Sequence, residues 1–183
     1  MKNIFILSLA ALLFSFTHHS GGIYSSNTGN IHFFSHTPVE DIEATNHKVK
    51  SAFDSKSGKL QFSVLIKDFE FEKALMQEHF NENYMMSTKY PKATFNGTID
   101  NISGVNFEKA GTYTSPITGK LTIKDVTKTV TTTATFKVSS VVNGKAVFKL
   151  NPEDYNIKIP NVVSKKISRE IKITVDVDYK HKH

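Results

Sequence analysis

The chain has no cysteine. That excludes a disulfide framework, a thiol nucleophile, a zinc–thiolate site and a lipid-modified N-terminal cysteine, so packing alone must hold the fold. Beyond residue 16 no apolar run is long enough to cross a bilayer as a helix, which takes about 20 residues. Gly-x-Ser-x-Gly, the glycine-flanked turn that presents a nucleophilic serine, does not occur. Basic residues outnumber acidic ones for a net charge of +6. They are dispersed, at Lys59, Lys67, Lys120, Lys124, Lys137, Lys149 and Lys172 among others, and do not form a clustered arm interleaved with aromatics, so a solvated basic exterior is expected and nucleic acid is not an expected partner. Peripheral contact with an anionic membrane surface is a secondary expectation.

One apolar run is present. Lys2 followed by Ile4 to Phe16 has the form of a signal peptide, with Ser15 and Thr17 allowing cleavage near His18. The expected organisation is therefore a leader at 1–17, a flexible segment at 18–29 and one domain at 30–180, in a protein that is periplasmic or secreted. About 160 residues suffice for one domain with a real core.

Within that domain the dominant period is two, the signature of strands with one apolar face. Leu60, Phe62, Val64 and Ile66 share a face; so do Ala93, Phe95, Gly97 and Ile99, and Tyr113, Ile117, Leu121 and Ile123. Val130, Thr132, Ala134, Phe136 and Val138 continue the pattern, followed by Ala146, Phe148 and Leu150, and by Ile171, Ile173, Val175, Val177 and Tyr179. Turn signals fall between them at Ser57-Gly58, Asp125 to Thr127 and Asn143-Gly144, which predicts antiparallel neighbours. Residues 38–44, containing Pro38, read as a loop leading into a strand that ends at Phe53. Residues 72–84 break the period: Leu75 with His79 and Met76 with Phe80 stand at i and i+4 among good helix formers, predicting one short amphipathic helix. Such strands form either a sandwich or a closed barrel.

Little points to catalysis or metal. The carboxylate groups at Glu40, Asp41 and Glu43 and at Glu153-Asp154 lie beside proline or turn residues and read as solvated. His32 and His36 lie about 13 Å apart along a strand, too far to share a metal. His79 lacks the second histidine of a zincin motif. His181 and His183 stand on a tail expected to fray, and the sequons at Asn96 and Asn101 are read as coincidence. No catalytic residue, metal ligand or cofactor is assigned.

Leu75 to Gly97 (LMQEHFNENYMMSTKYPKATFNG), Thr118 to Val130 (TGKLTIKDVTKTV) and Gly144 to Pro160 (GKAVFKLNPEDYNIKIP) resemble characteristic stretches of the YceI-like family of lipid- and polyisoprenoid-binding proteins. The resemblance implies an all-β fold: an eight-stranded antiparallel lipocalin-like barrel with a short helical insertion and an apolar pocket that in some members holds a polyisoprenoid tail. The N-terminal part, residues 29–54, departs from the family's commoner pattern, in which a His-Ser and a second histidine accompany the first strand.

The expected function is then non-enzymatic: binding of an amphipathic lipid, quinone-like or prenol-like, with a bound isoprenoid in place of any cofactor. Candidate ligand-binding residues are Leu60, Phe62, Val64, Met76, His79, Phe80, Phe95, Leu121, Phe136, Phe148 and Ile173, with Asn81 and Asn83 available to a head group. Small inward residues at Ala93, Gly97, Ser115, Gly119, Thr132, Ala134 and Ala146 favour a hollow interior. An eight-stranded barrel can equally be filled by its own side chains, and the rival reading is a solid-core structural or envelope-stress interaction protein.

Overall fold

The computed structural model describes residues 22–182. The leader expected at 1–17 lies outside the described residues. Nine strands follow in chain order: β1 (Ile23–His36), β2 (Asp41–Asp54), β3 (Lys59–Leu65), β4 (Phe69–Glu70), β5 (Lys92–Ile99), β6 (Gly111–Ile123), β7 (Val126–Val138), β8 (Val142–Leu150) and β9 (Ile171–Lys182). The eight long strands pair antiparallel with their neighbours in sequence, and β9 returns to pair with β1, closing an up-and-down barrel. The two-residue β4 adds to β2 through Asn46 and Phe69.

The alternating apolar positions all point inward, as their period requires, but two strands change parity midway. In β1, Tyr24 and Ser26 are buried, then Gly29, and Ile31, Phe33 and Ser35 take the inward positions beyond it. Irregular pairing between Ser26 and Ile31 inserts the extra residue that flips the faces. A Cβ on Gly29 would stand 2.8 Å from the Val177 side chain, so the bulge needs glycine. In β2 the inward set changes from Ala44 and Asn46 to Val49, Ser51 and Phe53. Asn46, fully buried, holds the irregularity: its Nδ2 donates to the Leu65 carbonyl (2.9 Å) and its Oδ1 accepts from the Lys48 amide (2.9 Å).

Several boundaries differ from expectation. The segment expected to be flexible up to residue 29 is strand from Ile23, because Tyr24 stacks on Phe53 at 4.9 Å and β1 is hydrogen-bonded on both edges. At the other end His181 belongs to β9, its ring edge-on to Tyr24 at 5.0 Å, and is not frayed, while His183 lies outside the described residues. β2 begins at Asp41, inside the expected loop, after a turn in which the Thr37 hydroxyl accepts from the Glu40 amide (3.0 Å). Asn143-Gly144 is not the hairpin turn. Residues 139–141 make it, while the Asn143 amide donates to Asp176 (2.7 Å) and Asp178 (2.8 Å) on β9, and Gly144 makes room for the Tyr179 ring. The β6–β7 hairpin is the two-residue Lys124-Asp125, both at positive φ, the geometry of a type I′ turn. The predicted helix is α1 (Ala74–His79), continued by a π-helical turn over Phe80–Tyr84.

One half of the interior is solid. Phe53, 1% exposed, stands at its centre, edge-on to Tyr179 at 4.9 Å and tilted against Phe107 at 4.8 Å, with Phe136 beyond at 6.1 Å. Val105 and Phe107, from the β5–β6 connection, close this end. The Tyr179 hydroxyl is satisfied by the Ser51 hydroxyl (2.8 Å), and burial pushes its phenol far above the ordinary range, so it stays neutral.

Phe53→Ala is expected to cost about 3–5 kcal/mol, as for other fully packed aromatics. Phe62→Ala, on a wall beside open space, costs less; urea unfolding of the two variants gives the comparison. Burial acts to raise the Asp176 carboxyl, but the Lys145 ammonium (2.8 Å) and Asn143 outweigh it and hold the group below its usual value. A depressed carboxylate lends stability that is complete above its unfolded pKa, near 4, and is lost as pH falls through the folded value. Asp176→Asn is therefore expected to flatten the fall of Tm below about pH 4.

Candidate functional site

Above the aromatic floor the barrel is hollow, with a cavity of about 540 Å³. Ten of the eleven sequence-assigned residues line it: Leu60, Phe62, Val64, Met76, His79, Phe80, Phe95, Leu121, Phe148 and Ile173. Phe136 does not, because it is packed into the floor against Phe53 and Phe107. Asn81 and Asn83 also lie off the cavity. Asn83 is exposed, and the Asn81 amide donates back to the Gln77 carbonyl (2.9 Å), bracing the turn after α1. The interior is thus neither wholly solid nor wholly hollow.

Small residues set the width of the hollow half. Gly97 and Gly119 face each other across β5 and β6, and the Phe95 ring lies over both. A Cβ on Gly119 would stand 2.4 Å from that ring, and one on Gly97 2.7 Å from it. The glycines therefore let Phe95 fold back against the wall instead of projecting across the lumen. Ala93 and Ala146 leave further room. Thr94 and Thr132 are polar residues of the same wall, and the Thr132 hydroxyl donates to the Val147 carbonyl (3.1 Å).

The lid over the mouth is anchored by the Phe80 ring and by side-chain hydrogen bonds at either end. No residue of α1 is buried. Phe80, which follows it, sits among Phe33 (5.5 Å), Phe71 (5.1 Å) and Phe69 (5.7 Å). Gln77 Oε1 accepts from the Phe71 amide (3.2 Å), tying the helix to the strand before it. At the far end of the lid, Lys124 donates to the carbonyls of Tyr84 (2.8 Å) and Asn156 (3.3 Å), joining it to the β6–β7 hairpin and to the loop at 151–170. That loop starts with a turn at Pro152–Tyr155, which Asn151 caps by accepting from the Glu153 amide, and Tyr155 is buried beneath it. Burial raises the phenols of Tyr84 and Tyr155, the latter helped by Asp154.

Charge lies at the mouth. Glu40, from the β1–β2 turn, faces Lys166 of the loop (3.6 Å) and Lys73 before α1 (4.0 Å), so one carboxylate bridges the two flaps. His79 is exposed at the same opening. Ser35 accepts from the Ser168 amide (2.9 Å) and fixes the end of the loop to β1. His32 and His36 point outward, each against its own carboxylate, Glu43 (2.9 Å) and Asp41 (2.6 Å). Among the described residues no group of three metal-binding side chains occurs.

Sequence reasoning missed two parts of the wall. Ile31, Phe33 and Ile42 come from the bulged strands, whose parity shift hides them. Ile157, Ile159, Val163 and Ile167 come from the loop at 151–170, where the only available signal was the density of apolar residues in IKIPNVVSKKI, which follow no regular period.

The fold is shared with solved structures of low sequence identity. A polyisoprenoid-binding domain from Saccharophagus degradans, implicated in plant cell wall breakdown, superposes with a TM-score of 0.76 at 11% identity, over 88% of this chain and 99% of that one. BcnA of Burkholderia cenocepacia gives 0.69 at 19% identity, over 83% of this chain and 96% of that one. The YCEI protein of Campylobacter jejuni gives 0.54 at 17% identity, over 100% and 94%. No curated protein sequence matches the chain. The sequence profile of the YceI-like domain matches residues 12–179, nearly the whole chain, and the protein belongs to the YceI-like family.

Proposed function

We propose that this protein is an exported, non-catalytic binding protein that holds the apolar tail of an amphipathic lipid, of the isoprenoid class, inside the barrel and leaves the head group at the mouth. The carrying observation is the cavity itself. Its volume of about 540 Å³ falls within the roughly 300–1,000 Å³ of small-molecule sites, and its deep walls are aliphatic and aromatic. An apolar chain seated there removes both its own surface and that of the wall from water, so occupancy stabilises the folded state. Each methylene withdrawn from water contributes about 0.8 kcal/mol.

The distribution of polar groups favours the same orientation. The wall hydroxyl of Thr132 is spent on a backbone carbonyl, and the charged lining residues Glu40 and Lys166 stand at the opening. His79 has no hydrogen-bonded nucleophile or carboxylate partner among the described residues, which supports binding over bond-breaking chemistry. The polyisoprenoid-binding character of the Saccharophagus domain points to the same ligand class. Export rests on the apolar leader-like run at Ile4 to Phe16.

Native mass spectrometry of protein purified from its own host is expected to show a co-purifying lipid with a long apolar tail. Protein that carries none, and that has no affinity for quinones or prenols, overturns the reading. A Cβ at Gly119 meets the β5 backbone at Gly97 (2.6 Å) and Asn96 (2.7 Å) as well as the Phe95 ring, so Gly119→Ala is expected to lower Tm and, by displacing the ring, to weaken binding of a prenol probe roughly tenfold, or about 1.4 kcal/mol, by fluorescence titration. Phe80→Ala unseats the lid and is expected to raise the dissociation rate of the same probe by roughly tenfold, measured by stopped flow.

A further inference from the structure

The loop at 151–170 contains a stretch of unusual composition. Residues 155–169 (YNIKIPNVVSKKISR) hold Lys158, Lys165, Lys166 and Arg169 and no acidic residue. All four basic side chains are exposed. At its tip, a single helical turn over Asn161–Val163 leaves Val162 90% exposed while its neighbour Val163 faces the cavity. Lys158, Lys165 and Arg169 have no acidic partner among the described residues, and the flanking Glu170 is engaged by Lys149 (2.7 Å). The opposite lip, at α1, carries Glu72, Glu78 and Glu82 against the single Lys73 and is not basic.

We infer that the 155–169 lip docks on the surface of an anionic lipid bilayer, with Val162 inserted among the head groups and Lys158, Lys165 and Arg169 against lipid phosphates. The turn joins a valine held 90% exposed to a cluster of cations, and a bilayer surface offers a match to both, acyl carbon and negative charge. Each basic side chain held at such a surface strengthens attachment by roughly fivefold. Docking at one lip sets the cavity mouth beside the bilayer, so the surface that attracts the protein is also a source of the tail-bearing ligand. Only that last link rests on the proposed lipid-binding function; the docking itself follows from the lip.

The test is flotation of the purified protein with vesicles of phosphatidylcholine alone and of phosphatidylcholine with 30% phosphatidylglycerol, in about 0.1 M salt, where the Debye length is about 10 Å, and again in about 1 M salt, where it is about 3 Å. Binding to the anionic vesicles is expected at low salt, at least tenfold weaker to neutral vesicles and at high salt. Val162→Asp and the pair Lys158→Glu with Lys165→Glu lie off the cavity, and each is expected to lower vesicle binding at least tenfold while Tm and the co-purified ligand stay unchanged. Lys137→Glu, at the floor end, serves as the charge control. The inference is overturned by absence of binding to anionic vesicles, by equal binding to neutral ones, by lip variants that float like the parent, or by a Lys137→Glu loss as large as theirs. A protein that floats through this lip but carries no lipid and takes up no prenol keeps the docking and removes the carrier reading.

Discussion

The rest of the molecule depends on the pairing of β1 along both of its edges. Its residues from Ile23 to Phe34 pair with β9, and those from Ile23 to His36 with β2. Without that pairing the sheet would have two long free edges, and its inward apolar residues would have no opposite wall. Closure also imposes curvature, which the irregular pairing near Gly29 and at Asn46 supplies. The same bulges that let the strands bend exchange their inward and outward faces, so that β1 contributes Tyr24 to the floor and Phe33 to the cavity.

One architecture thereby produces two interiors. Around the floor, the inward positions are rings, and Phe53 touches three of them. Toward the mouth, the rings keep to the wall and the lid, with aliphatic and small residues between them, and Phe95 lies back on Gly97 and Gly119. The transition is made by side chains on six of the strands and by the bulges on β1 and β2, which exchange the inward face between the two regions. Rigidity and capacity are therefore separated along the barrel axis, with the floor stabilising the fold and the upper half free to be shaped for cargo.

The strands β3 and β5 to β9 were legible in the sequence because their faces alternate without interruption, and ten of the wall residues followed from that alternation together with the helix at 74–79. β1 and β2 were obscure for the opposite reason: a bulge shifts the period inside each strand, so neither half looks long enough to be read, and Ile31, Phe33 and Ile42 escaped notice. Phe136 was misplaced because period two says which face a residue occupies but not how far along the axis it lies. Asn143-Gly144 misled because both residues serve the strand: the amide bridges two aspartates, and the missing side chain accommodates Tyr179. The apolar stretch at 157–167 belongs to no regular element, so no period announced its place in the wall.

The sealed floor gives the barrel a direction. If the barrel holds the amphipathic lipid proposed above, the guest enters tail foremost through the mouth and leaves along the same path, so its head group would stay presented outward throughout residence. An acceptor could then recognise, or an enzyme could modify, that head group while the tail remained stored, and handover would need no turning of the cargo. The ring packing around Phe53 thus also decides which end of a guest the surroundings are able to read.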